Sequence, residues 1–351
     1  MPSAPETALP AGLRYQPLSL HYGRRFGCKV YKVGVSTATT CPNREGLKGM
    51  RTCIFCDEWG SAAYPEQRGE DLAAQIRANG ARIRQRYGAH KLLVYFQAYT
   101  NTFERLSRLE ALFQEALAQP DVVGLVIGTR PDCLSRGLLK RLDALARATY
   151  VSVELGVQTL DDGQLAWLER GHDRACSLAA LRALAEHPAI ESCAHLMFGQ
   201  PGETDRQLRE TAAVLGTLGV TGVKLHNLHV LRGTPLAAAY RTGRFEPVTL
   251  AEYARKVALF LEHLPPCVVV HRLSAVASRW EEALAPAWVR EKLRPAQAIQ
   301  DHMARVDTWQ GKAWRAGAGS AGSLSGEPRS VLLAGQAPSA SPTPAAHAVA
   351  G

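Results

Sequence analysis

The 351-residue sequence lacks any apolar run approaching the roughly 18 residues of a membrane span, and its opening stretch MPSAPETALPAGL has neither the basic n-region nor the apolar h-region of a signal peptide. A cytoplasmic enzyme without a membrane partner is the expectation. Cysteine is scarce: eight in the whole chain exclude a disulfide framework, and three of the eight crowd into residues 41–56, which points to metal or redox chemistry. From Arg315 to Gly351 aromatic residues are absent and charges few, so that stretch cannot offset its ordering entropy by burial. What remains is ample for a core, with 46% hydrophobic and 21% charged residues overall. The length allows two domains or one α/β barrel of about 250 residues with tails. Lys and Arg outnumber Asp and Glu by 41 to 32, a net charge of +9 that favours an anionic partner.

The expected organisation is a disordered tail over 1–14, a core domain with a C-terminal extension over 15–310, and a disordered Gly/Ala/Ser/Pro-rich tail over 311–351. Within the core, β-branched runs recur at 30–36, 91–98, 122–129, 150–157, 191–199, 222–231 and 267–274, each followed by a helix-like segment. Leu106, Leu109, Phe113 and Leu117 mark one helical face, and Leu208, Ala212, Leu215 and Leu218 another that stops at Gly219. Thr204 with Gln207, and Thr249 with Glu252, have capping-box spacing. Strand–helix alternation of this kind gives parallel strands with right-handed crossovers, in a barrel or an open doubly wound sheet.

Polar residues inside the strands favour the barrel. Val151, Val153, Leu155 and Val157 share one face of a strand while Ser152, Glu154, Gly156 and Gln158 share the other, and Tyr95, Gln97 and Tyr99 repeat the pattern. A doubly wound sheet is apolar on both faces, whereas an incomplete barrel with a ligand inside wants polar groups inward.

The segment CPNREGLKGMRTCIFC places Cys41, Cys53 and Cys56 as C-x11-C-x2-C directly after the first strand. Thiolates ligate zinc or iron–sulfur clusters, and a two-residue gap lets two sulfurs of one turn reach one centre. Cys28 or His21 could complete a four-ligand zinc site. A [4Fe-4S] cluster on three cysteines instead leaves one iron open to substrate or cofactor, at the barrel mouth where active sites of this architecture sit.

The cysteine loop, with Phe55 between its last two cysteines, resembles the cluster loop of the radical S-adenosylmethionine (SAM) superfamily, and CPNREG is similar to its YtqA/YhcC-like subgroup. YFQAYTNT, IGTRPDCL, ELGVQT, RGHD, AHLMFGQPGET, KLHNLHVLRGTP and VVHRLS follow in the family's order over about residues 15–310. The resemblance implies an α/β fold, a partial (β/α)6 TIM-like barrel. It also implies a [4Fe-4S] cluster on Cys41, Cys53 and Cys56, with SAM chelating the fourth iron and cleaved to a 5'-deoxyadenosyl radical. Cofactor-binding roles follow for Phe55 beside the adenine, for Gln158 and Arg170 as a SAM-contacting pair, for Tyr99, Thr100 and Asn101 near the SAM amino group, and for the inward-facing Gln97 and Glu154. Arg170 could equally be a charge at a helix C-terminus capped by Gly171, and Tyr99 to Asn101 a cap for a helix beginning near Phe103.

Departures from the related enzymes bear on the substrate. Gly128 and His195 replace a Glu and an Asp of coproporphyrinogen oxidases, Met50 and Arg51 precede the second cysteine, and Ala275 and Val276 stand where the subgroup has Gly-Asp. Substrate-lining candidates are His195, His226, Asn227, His229 and His271. The relation to the Elongator catalytic subunit, which acts on the wobble uridine side chain, makes tRNA the expected partner, beside an electron donor such as flavodoxin or ferredoxin. Two basic stretches, Arg14, Arg24, Arg25, Lys29 and Lys32, and then Arg77, Arg82, Arg84 and Arg86, are candidate phosphate contacts. A small molecule or tetrapyrrole is the alternative substrate, and a zinc-stabilised nucleic-acid-binding module the alternative of another class. Removing residues 316–351 is expected to leave melting temperature and SAM cleavage unchanged, and a drop of many degrees would contradict this.

Overall fold

The computed structural model describes residues 9–60, 62, 64–277 and 280–315. Seven strands lie parallel in one sheet: β1 (Val30–Val35), β2 (Lys91–Phe96), β3 (Val122–Thr129), β4 (Tyr150–Gln158), β5 (Glu191–Phe198), β6 (Gly222–Asn227) and, next to β6, β8 (Val269–Arg272). A separate antiparallel pair joins β7 (Val230–Leu231) to β9 (Ala283–Ala285). The helices are α1 (Leu18–Phe26), α2 (Leu72–Tyr87), α3 (Leu106–Leu117), α4 (Arg136–Ala146), α5 (Asp162–Trp167), α6 (Arg174–Ala185), α7 (Asp205–Thr217), α8 (Pro235–Arg241), α9 (Leu250–His263) and α10 (Arg294–Arg305). Chain order equals spatial order through six βα units, and β8 adds a seventh parallel strand, so the sheet curls into a partial barrel.

Each strand divides its residues between helices and lumen. Val151, Val153, Leu155 and Val157 of β4 are buried in the main core with Leu138, Leu139 and Leu142 of α4 and Leu181 of α6. The opposite face carries Ser152, Glu154 and Gln158, as the alternation requires. Local signals fix where helices begin: Asp71, Ser135, Asp161, Asp173, Thr204, Thr234 and Thr249 each accept a hydrogen bond from the backbone N–H three residues on. A cap of this kind contributes about 1 kcal/mol.

The N-terminal end of the barrel is closed by α1, whose Tyr22 and Phe26 pack edge-on against Tyr150 of β4, with Leu93, Tyr95 and Val126 around them. The loops after the strands, including the cysteine segment, leave from the other end.

Several expectations need correction. The run 222–231 is broken at Leu228 and His229, because the Leu228 N–H turns to the Phe198 carbonyl at 2.8 Å and leaves β7 to pair elsewhere. The third helix starts at Leu106 behind Arg105, so Asn101 does not cap it. Thr204 and Gln207 form a complete capping box, whereas Glu252 turns to Arg255 and only Thr249 caps α9. The boundary drawn at 310 falls within packed chain: Gly311 and Ala313 donate to the Leu261 and Glu262 carbonyls, and the Arg14 carbonyl accepts from Gln310. Residues 1–8 and 316–351 of the expected tails lie outside the described residues.

Candidate active site

The cysteine loop leaves the C-terminal end of β1 and is held down along its length. Ile54 donates to the Leu168 carbonyl and accepts from Leu236 N–H, while the Asn43 amide donates to the Glu169 carbonyl at 2.8 Å. The loop rests on the glycine of RGHD: a Cβ on Gly171, whose φ is +69°, would lie 2.8 Å from Lys48 Cβ and 2.9 Å from Asn43 Oδ1. Only glycine meets both the left-handed backbone and the close approach.

Nitrogen donors converge on two of the three sulfurs. Arg170 Nη1 lies 3.3 Å and Asn43 Nδ2 3.5 Å from Cys53 Sγ, and Arg44 Nη2 lies 3.6 Å from Cys56 Sγ. Arg170 is buried, its Nη2 on the Gly156 carbonyl at 2.9 Å, and its own carbonyl accepts from Arg130 at 2.6 Å. Arg130 is in turn gripped by both oxygens of Asp132, which also meets Lys48. The TRPD motif thus acts as a brace between the RGHD and cysteine loops. Burial works against ionising Asp132, but Arg130 and Lys48 hold its carboxyl down at about 2.

These residues suit a thiolate-bound cluster. Cationic and amide donors beside sulfur stabilise anionic thiolates, and Asn43 Oδ1, Arg44 Nε, Asn101 Oδ1 and Arg170 Nε are buried there without a hydrogen-bond partner among the described residues. The three thiols do not gather within 4.8 Å of one another, the closeness a single ion demands. Neither suggested fourth zinc ligand reaches the loop: His21 pairs with Glu191 at 3.0 Å and Cys28 packs with Tyr22 and Tyr150, both at the closed end of the barrel.

The other candidate cofactor residues line the same end. Tyr99, with φ +53°, sits on Gly60, where a Cβ would come within 2.4 Å of its ring, and Arg44 and Arg68 lie over that ring. Thr100 is buried against Thr40, and the Gln97 N–H donates to Val35. Asn101 spends its amide on the carbonyls of Phe96 and Gly128, tying the ends of β2 and β3. Gln158, with φ +68°, and Arg170 crowd Gly156 so closely that a Cβ there would lie 3.1 and 3.2 Å from their side-chain nitrogens. Phe55 packs against Leu168, Met197, Leu228 and Leu236.

Below this level Glu154 is wholly buried, and side chains from neighbouring strands take up its carboxylate. Lys32 of β1 donates to Oε1, while Lys224 of β6 and His195 of β5 each donate to Oε2 at 2.7 Å. His271 Nδ1 of β8 lies 3.4 Å from Oε1 and 3.2 Å from Lys32 Nζ. That ring fits because β6 opens with glycine: a Cβ on Gly222 would lie 2.6 Å from His271 Nε2. Burial alone would raise the Glu154 pKa, but Lys224, Lys32 and the two histidines hold it well below the carboxylate range. Burial, then neighbouring lysines, pushes His195 down to about 3 and His271 to about 4, so both rings are neutral at pH 7.

Of the expected substrate-lining residues, His195 and His226 face the lumen with rings 5.3 Å apart. His271 is spent on Glu154 and Lys32, and His229 reaches the Asn227 carbonyl at 3.2 Å. Asn227 points away from the lumen and accepts from the Ala275 N–H at 2.9 Å, so it anchors the loop after β8. The basic stretches also need revision. Lys32 is inside the barrel, Arg14 bonds the Thr308 carbonyl, Arg24 and Arg25 end α1 at the closed end, and Arg84 pairs with Asp121 before β3. Arg51 is exposed on the cysteine loop. Sequence reasoning missed Lys224, Arg272, Arg130 and Asp132, although Lys224 and His226 alternate on β6 as the residues of β4 do.

Glu154→Gln leaves two buried lysines without their carboxylate and is expected to destabilise by about 3–5 kcal/mol. Because the folded-state pKa is depressed, this difference is present above the ordinary glutamate value and fades as pH falls below about 4. Denaturant titrations of both proteins at several pH values test this, and equal stability at pH 7 would contradict it.

Residues 35–215 match the Radical SAM superfamily and residues 220–305 its C-terminal domain. Uncharacterized protein YtqA of Bacillus subtilis is 35% identical over 299 residues, 85% of this chain and 92% of that protein. A tRNA uridine(34) acetyltransferase of Dehalococcoides mccartyi is 31% identical over 159 residues, 44% of this chain and 34% of its own. Among solved structures, Elp3 of Methanocaldococcus infernus superposes with TM-score 0.60 and 18% identity over 81% of this chain and 64% of that one, a likeness of fold. With a matched family segment spanning more than half its length and a relative aligned along most of it, the chain belongs to the radical SAM superfamily of enzymes.

Proposed function

We propose that this enzyme holds a [4Fe-4S] cluster on Cys41, Cys53 and Cys56, cleaves SAM reductively with electrons from a flavodoxin or ferredoxin, and acts on the wobble uridine side chain of tRNA. The observation that carries the first part is the convergence of Arg170, Asn43 and Arg44 on the cysteine sulfurs at the open end of the barrel. When bound, such a cluster supplies the electron that breaks the SAM sulfonium bond to give a 5'-deoxyadenosyl radical. The chain's own residues position and enclose. Of the four unpartnered buried groups there, Asn101 Oδ1 and the Arg170 Nε edge suit the amino and carboxylate ends of SAM. Phe55 and its apolar neighbours keep that end dry.

The tRNA reading is supported by the similarity to a tRNA uridine(34) acetyltransferase and by exposed Arg51 on the loop that surrounds the mouth. A base splayed into the lumen brings its flanking phosphates onto that rim. No helix among the described residues is long and apolar enough to cross a membrane.

Single Cys41→Ala, Cys53→Ala and Cys56→Ala variants are expected to lose iron binding and formation of 5'-deoxyadenosine while keeping the wild-type fold by circular dichroism. A variant that retains full iron content would exclude that cysteine as a ligand. For the substrate, tRNA affinity measured against salt should weaken in Arg51→Gln, with a slope shallower by about one. Absence of tRNA binding by the wild type at low salt would move the substrate to a small molecule.

A further inference from the structure

The lumen carries more positive charge than its own carboxylate can balance. Lys32, Lys224 and Arg272 face it, against Glu154 alone at that level among the described residues. Glu191, lower on β5, is taken by His21 and Tyr150. Lys32 and Lys224 both spend a bond on Glu154, but among the described residues no carboxylate lies within 4 Å of the Arg272 guanidinium. Its Nη2 lies 2.8 Å from the ring nitrogens of His226, and its Nε is buried without a hydrogen-bond partner among the described residues. Arginine cannot shed this charge by deprotonation, so the site as it stands holds an uncompensated cation.

Geometry sets a second cation beside it. Lys224 and Arg272 are register partners on the adjacent strands β6 and β8. The Lys224 side chain keeps 13% exposure and that of His195 15%, so this level of the lumen is not fully sealed. Burial and the positive neighbours Lys32 and Arg272 push Lys224 down to about 8 against the pull of Glu154, a cost that a bound anion would relieve. A metal ion on the nearby Glu154, Cys193 and His195 would have to displace two lysines from the carboxylate.

We propose that Arg272 and Lys224 form an anion subsite within the lumen that receives a carboxylate or phosphate carried by the substrate group admitted there. The assignment rests on the radical SAM reading only in taking the lumen as the place where substrate enters. A planar fork with a free Nε edge beside an ammonium matches two oxygens of one oxyanion. In this reading Gly222 and His271 are positioning elements, since they hold Lys32 and Glu154 in place and leave Arg272 for the ligand.

The test uses the full chain, anaerobically reconstituted, with iron content measured on each sample and two probes titrated separately: inorganic phosphate and N-acetylglycine. The wild-type melting temperature is expected to rise by about 2–5 °C with at least one probe, and which probe acts better separates the phosphate source from the carboxylate source. Arg272→Gln should lose most of that rise while melting no lower than wild type without probe, because it removes an unbalanced charge. Arg272→Lys should retain part of the rise. General stabilisation by an excluded salt would be the same in wild type and Arg272→Gln, and that outcome overturns the subsite. So does a wild type indifferent to both probes, or a rise abolished by saturating SAM, which would assign the cations to the SAM carboxylate. Iron loading without a probe effect sinks this inference alone, whereas failure to load iron sinks the cluster reading and leaves the probe result standing.

Discussion

One carboxylate holds the open barrel together across its interior. The sheet begins at β1 and ends at β8, and among the described residues no ladder of backbone hydrogen bonds joins these two edges. Glu154, on the central strand β4, receives Lys32 from one edge, His271 from the other, and Lys224 and His195 from between. Such an arrangement is weak as a source of net stability, since desolvating the charges offsets much of their attraction. Its effect is to fix curvature: strands that could flatten or slide are tied to a point in the lumen, and a buried charge cluster tolerates little displacement of any member.

The layers on either side follow from that point. Below it, aromatic side chains of α1 and β4 plug the N-terminal end and exclude water. Above it, strand ends are capped by Asn101 and the backbone turns at Tyr99 and Gln158, where the cysteine, TRPD and RGHD loops interlock through Arg130 and Arg170. Charge is thereby sorted by depth. Bracing cations sit near the cysteine sulfurs, neutral histidines and lysines sit around Glu154, and surface arginines are left to the outside. The radical chemistry proposed for this chain would gain from this order, because a reactive carbon-centred species is quenched by any stray hydrogen donor that the walls fail to exclude.

Much of the fold was legible because strand alternation and helix caps are local. The two faces of β4, the caps at Thr204 and Thr249, and the C-x11-C-x2-C loop after the first strand can be read without knowing any neighbour. What the sequence hid was register. Lys32 reads as one more charge in a basic stretch until parallel pairing and curvature set it opposite Glu154, and Lys224 reads as polar punctuation between Val223 and Leu225. Asn227 lies one residue from His226, and that single step sends it to the outer face. The dependence of His271 on Gly222 is a contact between adjacent strands that no spacing along the chain announces.

The most direct measurement of the central claim is electron paramagnetic resonance of the anaerobically reconstituted, chemically reduced wild-type protein, with and without SAM, alongside metal analysis. About four irons per chain, no zinc, and a reduced-cluster signal that changes on adding SAM are expected. One zinc and no iron in the fully folded protein would contradict it.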